Sequence, residues 1–155
     1  MKSFLLKDNK PITKWGLLPD NTFFEGEVPE GYKLAISPSD NIVILDIDFK
    51  NGKNGYEHIP SHIQTELDQS FNYKTKSGGA HIWLCYTGSR KLMNKSTTLG
   101  LDLRIGSKGK NSGGYVKYNH TEDIRKCLHL IKETSNEMNE WLEDLFAFKT
   151  ERCLK

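Results

Sequence analysis

The chain has 155 residues, 36% hydrophobic and 27% charged, which is enough apolar material for one domain with its own core. Its net charge of +2 is unevenly spread: residues 1–70 sum to −4, residues 71–120 carry nine Lys/Arg against Asp102 alone, and residues 121–155 sum to −2. No apolar run approaches the ~20 residues of a membrane span, the N-terminus lacks the features of a secretory signal, and Cys85, Cys127 and Cys153 fit neither a disulfide framework nor a zinc ligand pattern, so a cytoplasmic setting without a membrane partner is expected.

The predicted elements run from strands to helices. Residues 1–31, rich in Pro, Gly, Asn and Asp, with Lys10–Trp15 as the one pointed segment, are read as mostly irregular with a short strand or turn. Lys33–Ser37 and Ile42–Phe49 are expected as a hairpin about the turn Pro38-Ser39-Asp40-Asn41. A Gly/Asn/Lys loop at Asn51–Gly55 precedes a helical stretch near Ser61–Gln69, where Ile63 and Leu67 are four apart. Phe71–Lys76 and His81–Tyr86 are expected as strands separated by Ser77-Gly78-Gly79, followed by Leu99–Ile105 and Gly113–Tyr118. The period then changes. Ile124, Cys127, Leu128 and Ile131 recur at helical spacing, as do Met138, Trp141, Leu142 and Leu145. Thr121 is the expected N-cap of the first helix, and Thr134 or Ser135 that of the second. Strands first and helices later indicate an α+β fold, a mostly antiparallel sheet covered by helices.

Three constellations carry chemistry. Ile42-Val43-Ile44-Leu45-Asp46-Ile47-Asp48 is an apolar strand ending in two acids that share a face, because side chains alternate along a strand. Two carboxylates that close repel each other, and a hard divalent cation, Mg²⁺ or Mn²⁺, relieves the repulsion. A pair of solvated aspartates at a strand end is the plainer alternative. In Leu101-Asp102-Leu103-Arg104-Ile105, Asp102 and Arg104 share a face, as a third metal carboxylate or as a simple ion pair. In Lys74-Thr75-Lys76-Ser77-Gly78-Gly79-Ala80-His81, the glycines would let backbone N–H groups approach an anion, with Lys76, Ser77 and His81 adding donors; an ordinary turn before a half-buried histidine is the alternative. The Gly106–Gly114 segment suits a further phosphate or template loop, but it lacks the strand–loop–helix setting of a Walker loop. Trp83, Tyr73 and Tyr115 suit base stacking, although strand aromatics more often fill a core.

The order of these pieces, with Lys10-Pro11-Ile12-Thr13-Lys14-Trp15 before them and Gly113-Gly114-Tyr115-Val116 after, resembles the archaeo-eukaryotic primase superfamily. Within it the nearest likeness is the bifunctional primase–polymerase branch of phages and plasmids, over roughly residues 10–120. The resemblance implies an RRM-like catalytic sheet joined to a smaller lobe, and template-directed nucleotidyl transfer with two metal ions held by Asp46, Asp48 and Asp102. It also implies that His81, Ser77 and the Gly78-Gly79 backbone contact the phosphates of a nucleoside triphosphate, with Lys76 and Arg104 assisting. Lys74, Lys108, Lys110 and Lys117 would then track a DNA template and primer. Asp48 stands where such sites often have Glu. No helicase segment or zinc-binding cysteine cluster is recognisable, so a helicase is expected from a separate chain. A nuclease using the same carboxylates and a non-catalytic nucleic-acid-binding module are the competing expectations.

Overall fold

A computed structural model describes residues 1–39, 41–106 and 113–148, which form an α+β fold with mostly antiparallel sheets and two α-helices. The strands are β1 (Lys2–Lys7), β2 (Lys10–Pro11), β3 (Tyr32–Ser37), β4 (Ile42–Ile47), β5 (Phe49–Lys50), β6 (Lys53–Asn54) and β7 (Asn72–Lys74). After them come β8 (Ala80–Cys85), β9 (Lys95–Ser96), β10 (Leu101–Arg104), β11 (Val116–Lys117) and β12 (Lys132–Glu133). Helix α1 spans Ser61–Asp68 and α2 Asn136–Phe146.

One sheet runs β12-β8-β4-β10-β9, with β7 also paired to β8; a second runs β11-β3-β1-β2, and β5 and β6 form a two-stranded ribbon. Alternation along β4 sends Val43, Leu45 and Ile47 to one face, where they meet Ile63 and Leu67 of α1 and Met138, Leu142 and Phe146 of α2. The opposite face presents Ile44, with Trp83 of β8, to Met1, Ile36 and Val116 of the smaller sheet. Behind that sheet, Phe4, Leu6 and Ala35 pack against Trp15, Leu18 and Tyr115. The large sheet is therefore covered by helices on one side and only partly by the small sheet on the other. Among the described residues no helix is long and apolar enough to cross a membrane.

Three expectations need correction. The two strands at Lys33–Ser37 and Ile42–Phe49 do not pair: β3 lies between β1 and β11, and β4 between β8 and β10. Each is interior to its own sheet, so the short connection between them crosses from sheet to sheet instead of making a hairpin. Residues 1–31 are mostly irregular with a short strand at β2, as expected, but that reading missed β1, which pairs with β3 over six residues and is buried in all but Lys7. An apolar run buried on both faces has no alternation to announce it.

The third correction concerns residues 124–131, which form two 3₁₀ turns at Ile124–Lys126 and Leu128–Leu130 instead of an amphipathic helix. Asp123, not Thr121, caps the first turn. Ile131 must be extended to lead into β12, which pairs in parallel with β8, and Leu128 and Leu130 remain exposed. Tertiary pairing has overridden the local period. Helix α2 does begin as expected, with the Ser135 hydroxyl accepting the Met138 N–H at 3.1 Å.

Candidate functional site

The register of the large sheet builds the site. Asp46 of β4 lies directly opposite Asp102 of β10 on one side and His81 of β8 on the other. Beyond them Ser96 of β9 faces Asp102, and Tyr73 of β7 faces His81. Side chains paired this way share a face at roughly 4.5–5.5 Å between Cβ atoms. The row Ser96–Asp102–Asp46–His81–Tyr73 thus crosses five strands, joining residues that are 56 apart in the sequence at β4 and β10.

Asp102, Asp46, His81 and Tyr73 are each held by side-chain contacts. His81 is buried, its Nε2 lies 3.4 Å from Asp46 Oδ1 and its Nδ1 3.2 Å from the Tyr73 hydroxyl. The Trp83 indole N–H donates to the same Tyr73 oxygen at 3.3 Å. Because an indole N–H can only donate, the Tyr73 proton is free for Nδ1, which assigns the ring proton of neutral His81 to Nε2, facing Asp46. Asp102 accepts the Thr97 N–H at 3.2 Å and Arg104 Nη2 at 3.4 Å. The ion-pair reading of Asp102 and Arg104 is therefore realised at the long end of hydrogen-bonding distance, so the pair is loose. Tyr73 is pushed above the usual phenol range by burial.

Asp48 lies just past the end of β4, where its N–H donates to Gly100 O and its carbonyl accepts the Gly55 N–H, both at 2.8 Å. A Cβ at Gly55 would stand 2.3 Å from Gly100 O, so this junction needs glycine. The Asp48 carboxyl is raised from its ordinary pKa, first by burial and then by the negative charges of Asp46 and Asp102. That repulsion and an all-oxygen carboxylate set fit a hard divalent cation. The three carboxylates are not drawn into one tight group. Among the described residues, the one set of three side chains with ligand atoms all within 4.8 Å of one another is His120, Glu122 and Cys127.

The Thr75–Gly79 turn is closed by Gly78 N–H to Thr75 O at 3.1 Å and Thr75 N–H to Gly79 O at 3.0 Å. Gly78 has a φ of +93°, and a Cβ at Gly79 would lie 2.0 Å from Ile47 O. Gly78 thus answers to the backbone geometry of the turn and Gly79 to its packing on β4, reasons independent of any phosphate. Lys76 and Ser77, at the tip, are presented to solvent space beside Asp46 and His81.

These residues open on a cavity of about 660 Å³ between the free part of the sheet face, β3 and the 118–125 segment. Asp46, Asp48, His81, Lys76 and Ser77 line one side, and Lys33, Lys50 and Lys117 also line it. Lys117 donates to Asn9 Oδ1 at 2.6 Å, and its ammonium is shifted below the ordinary lysine pKa by burial and by the charges of Lys33 and Lys50. Lys33 and Lys50 were not singled out by sequence. Lys50 carried a signal, standing two residues beyond Asp48 as Asp48 stands two beyond Asp46. Arg125, also at the cavity, is already engaged by Glu25 at 2.7 Å and Asp123 at 2.8 Å.

Other expected residues fall elsewhere. Lys74 donates to the Tyr56 hydroxyl at 2.9 Å and does not line the cavity, nor do Asp102, Arg104, Gly78 or Gly79. Lys108 and Lys110 lie outside the described residues. Trp83 and Tyr73 are buried core, and Tyr115 packs on Phe4 and Trp15. No family model matches the chain, and no curated protein matches it significantly in sequence.

Proposed function

We propose that the chain is a metal-dependent nucleotidyltransferase of the primase–polymerase kind, extending a nucleic-acid primer on a template. The observation that carries this reading is the cavity lined by Asp46, Asp48, His81 and lysines, with Asp102 directly opposite Asp46 on the neighbouring strand. A cavity of about 660 Å³ is in the range that holds a nucleotide-sized ligand. The large sheet, with helices on one face and an open opposite face, supports an RRM-like catalytic sheet. The β11-β3-β1-β2 sheet supports the smaller lobe.

Asp46, Asp48 and Asp102 would hold Mg²⁺ or Mn²⁺. Bound there, the cation would favour ionisation of a primer 3′-hydroxyl and offset the charge of the leaving pyrophosphate. His81, with its proton directed to Nε2, is positioned by Tyr73. Lys76 and Ser77 bind triphosphate oxygens from the turn, and Lys33, Lys50 and Lys117 balance the remaining negative charge. The basic 71–120 segment binds template phosphates, so activity falls as salt rises.

The test is extension of a labelled primer–template with deoxynucleoside or ribonucleoside triphosphates and Mg²⁺ or Mn²⁺. Template-dependent products from the wild type, lost in Asp46→Ala/Asp48→Ala, are expected. Degradation of DNA with no nucleotide present would move the reading to a nuclease. No product under any condition, with DNA binding unchanged in the double variant, would leave a binding module.

A further inference from the structure

The strand β11 is followed by an irregular segment that brings three chemically different side chains together beside Tyr73. His120, Glu122 and Cys127 each offer a ligand atom, and these atoms lie within 4.8 Å of one another. The buried Cys127 thiol donates to Glu122 Oε2 at 3.9 Å, and both His120 and Glu122 line the cavity. We propose that His120, Glu122 and Cys127 bind one Zn²⁺ ion, with the fourth position open to the cavity and taken by water.

The donor set selects the metal. One sulfur, one imidazole nitrogen and one carboxylate oxygen make a borderline-soft site, suited to zinc and poorly suited to Mg²⁺, which favours an all-oxygen shell. Zinc bonds of ~2.0–2.3 Å put tetrahedral ligand atoms about 3.3–3.7 Å apart. The Cys127–Glu122 separation of 3.9 Å is already near that figure. Glu122 is exposed and free to supply the remaining movement. When the ion binds, the Cys127 thiol proton passes to solvent. Thiolate and carboxylate then cancel the two positive charges, and a neutral complex is tolerated beside an aromatic cluster where a lone charge is not.

The surroundings hold the ligands in place. The His120 ring stacks on Tyr73 at 5.4 Å with planes 25° apart, and meets Phe71 edge-on at 5.3 Å. The Tyr118 hydroxyl donates to the Glu122 carbonyl at 2.6 Å, and the Cys127 N–H to Ile124 O at 2.9 Å. The ion would tie together a stretch that has only 3₁₀ turns for regular structure and forms one wall of the cavity. The spacing His-x-Glu-x₄-Cys matches no common zinc pattern, which is why the cysteines looked unrelated to metal in the sequence.

The test titrates the chelator-stripped full chain with Co²⁺ as a spectroscopic stand-in, then with Zn²⁺. With excess Mg²⁺ present to occupy the carboxylate site, the expected result is thiolate-to-cobalt charge-transfer absorption that saturates at one equivalent of Co²⁺ and is displaced by Zn²⁺. Cys127→Ser should abolish the absorption, and both Cys127→Ser and His120→Ala should weaken Zn²⁺ binding by at least about tenfold. The partly exposed His120 position keeps the test valid if the buried Cys127→Ser variant fails to fold. Asp46→Asn/Asp48→Asn should bind Zn²⁺ as the wild type does. Absence of thiolate absorption, unchanged Zn²⁺ affinity in His120→Ala, or loss of the absorption in the double aspartate variant would each overturn the proposal. The readout is binding, so its failure is distinguishable from a failure of nucleotide addition.

Discussion

The two faces of the β8–β4–β10 sheet are made by the same strands and follow opposite rules. On the helix side Leu45, Ile47, Leu101 and Leu103 are all fully buried, each covering its neighbours against α1 and α2. On the other side Ile44 and Trp83 are equally buried beneath the small sheet, but one step further along the strands the row becomes Asp102, Asp46 and His81. Directly opposed acids weaken a sheet. The helix face supplies the stability that lets the cavity face keep an arrangement which, without a cation, works against folding.

That division can be broken from either side. The largest expected effect is on chemistry: Asp46→Asn should lower primer extension by roughly 10³-fold, with circular dichroism and thermal unfolding close to the wild type. Leu45→Ala, one residue away and on the other face, should do the reverse. It should cost about 2–5 kcal/mol in denaturant unfolding and leave the specific activity of the folded fraction nearly unchanged. Loss of activity in a folded Leu45→Ala, or of stability in Asp46→Asn, would show that the two faces are not separable.

Two smaller effects sharpen the comparison. Tyr73→Phe removes the acceptor of the Trp83 N–H and the partner of His81 Nδ1, and should cost about 1–2 kcal/mol of stability. Asp48→Asn should slightly stabilise the metal-free protein, read as a small rise in Tm. The sign follows from the raised pKa of Asp48, whose first cause is burial. The folded chain holds the proton more tightly than the unfolded chain, so the ionised group subtracts stability above its folded pKa. The advantage of Asp48→Asn should accordingly shrink as pH falls through that pKa, and a Tm difference growing with acidity would contradict it.

Much of this arrangement was legible in the sequence, for definite reasons. Alternation in Ile42–Ile47 and Leu101–Arg104 announced strands with acids on one face, and the Ile63/Leu67 and Met138–Leu145 spacings announced α1 and α2. What could not be read was partnership. Nothing local in Lys33–Ser37 says that it joins Lys2–Lys7 and not the strand that follows it. Nothing local says that Asp102 stands opposite Asp46, which depends on a pairing across more than fifty residues. The same limit explains the 124–131 error, where a helical period gave way to an extended segment required by β8. Lys33 reaches the cavity only because the small sheet lies over the large one.

The central claim is that the carboxylate face exists for metal-assisted nucleotide addition and not for the fold. The most direct measurement is primer extension by Asp48→Asn protein whose Tm has first been found equal to or above that of the wild type. The account predicts that extension is lost in this folded, slightly more stable protein. Extension at the wild-type rate would contradict it, because the site would then work without one of the acids it is built around.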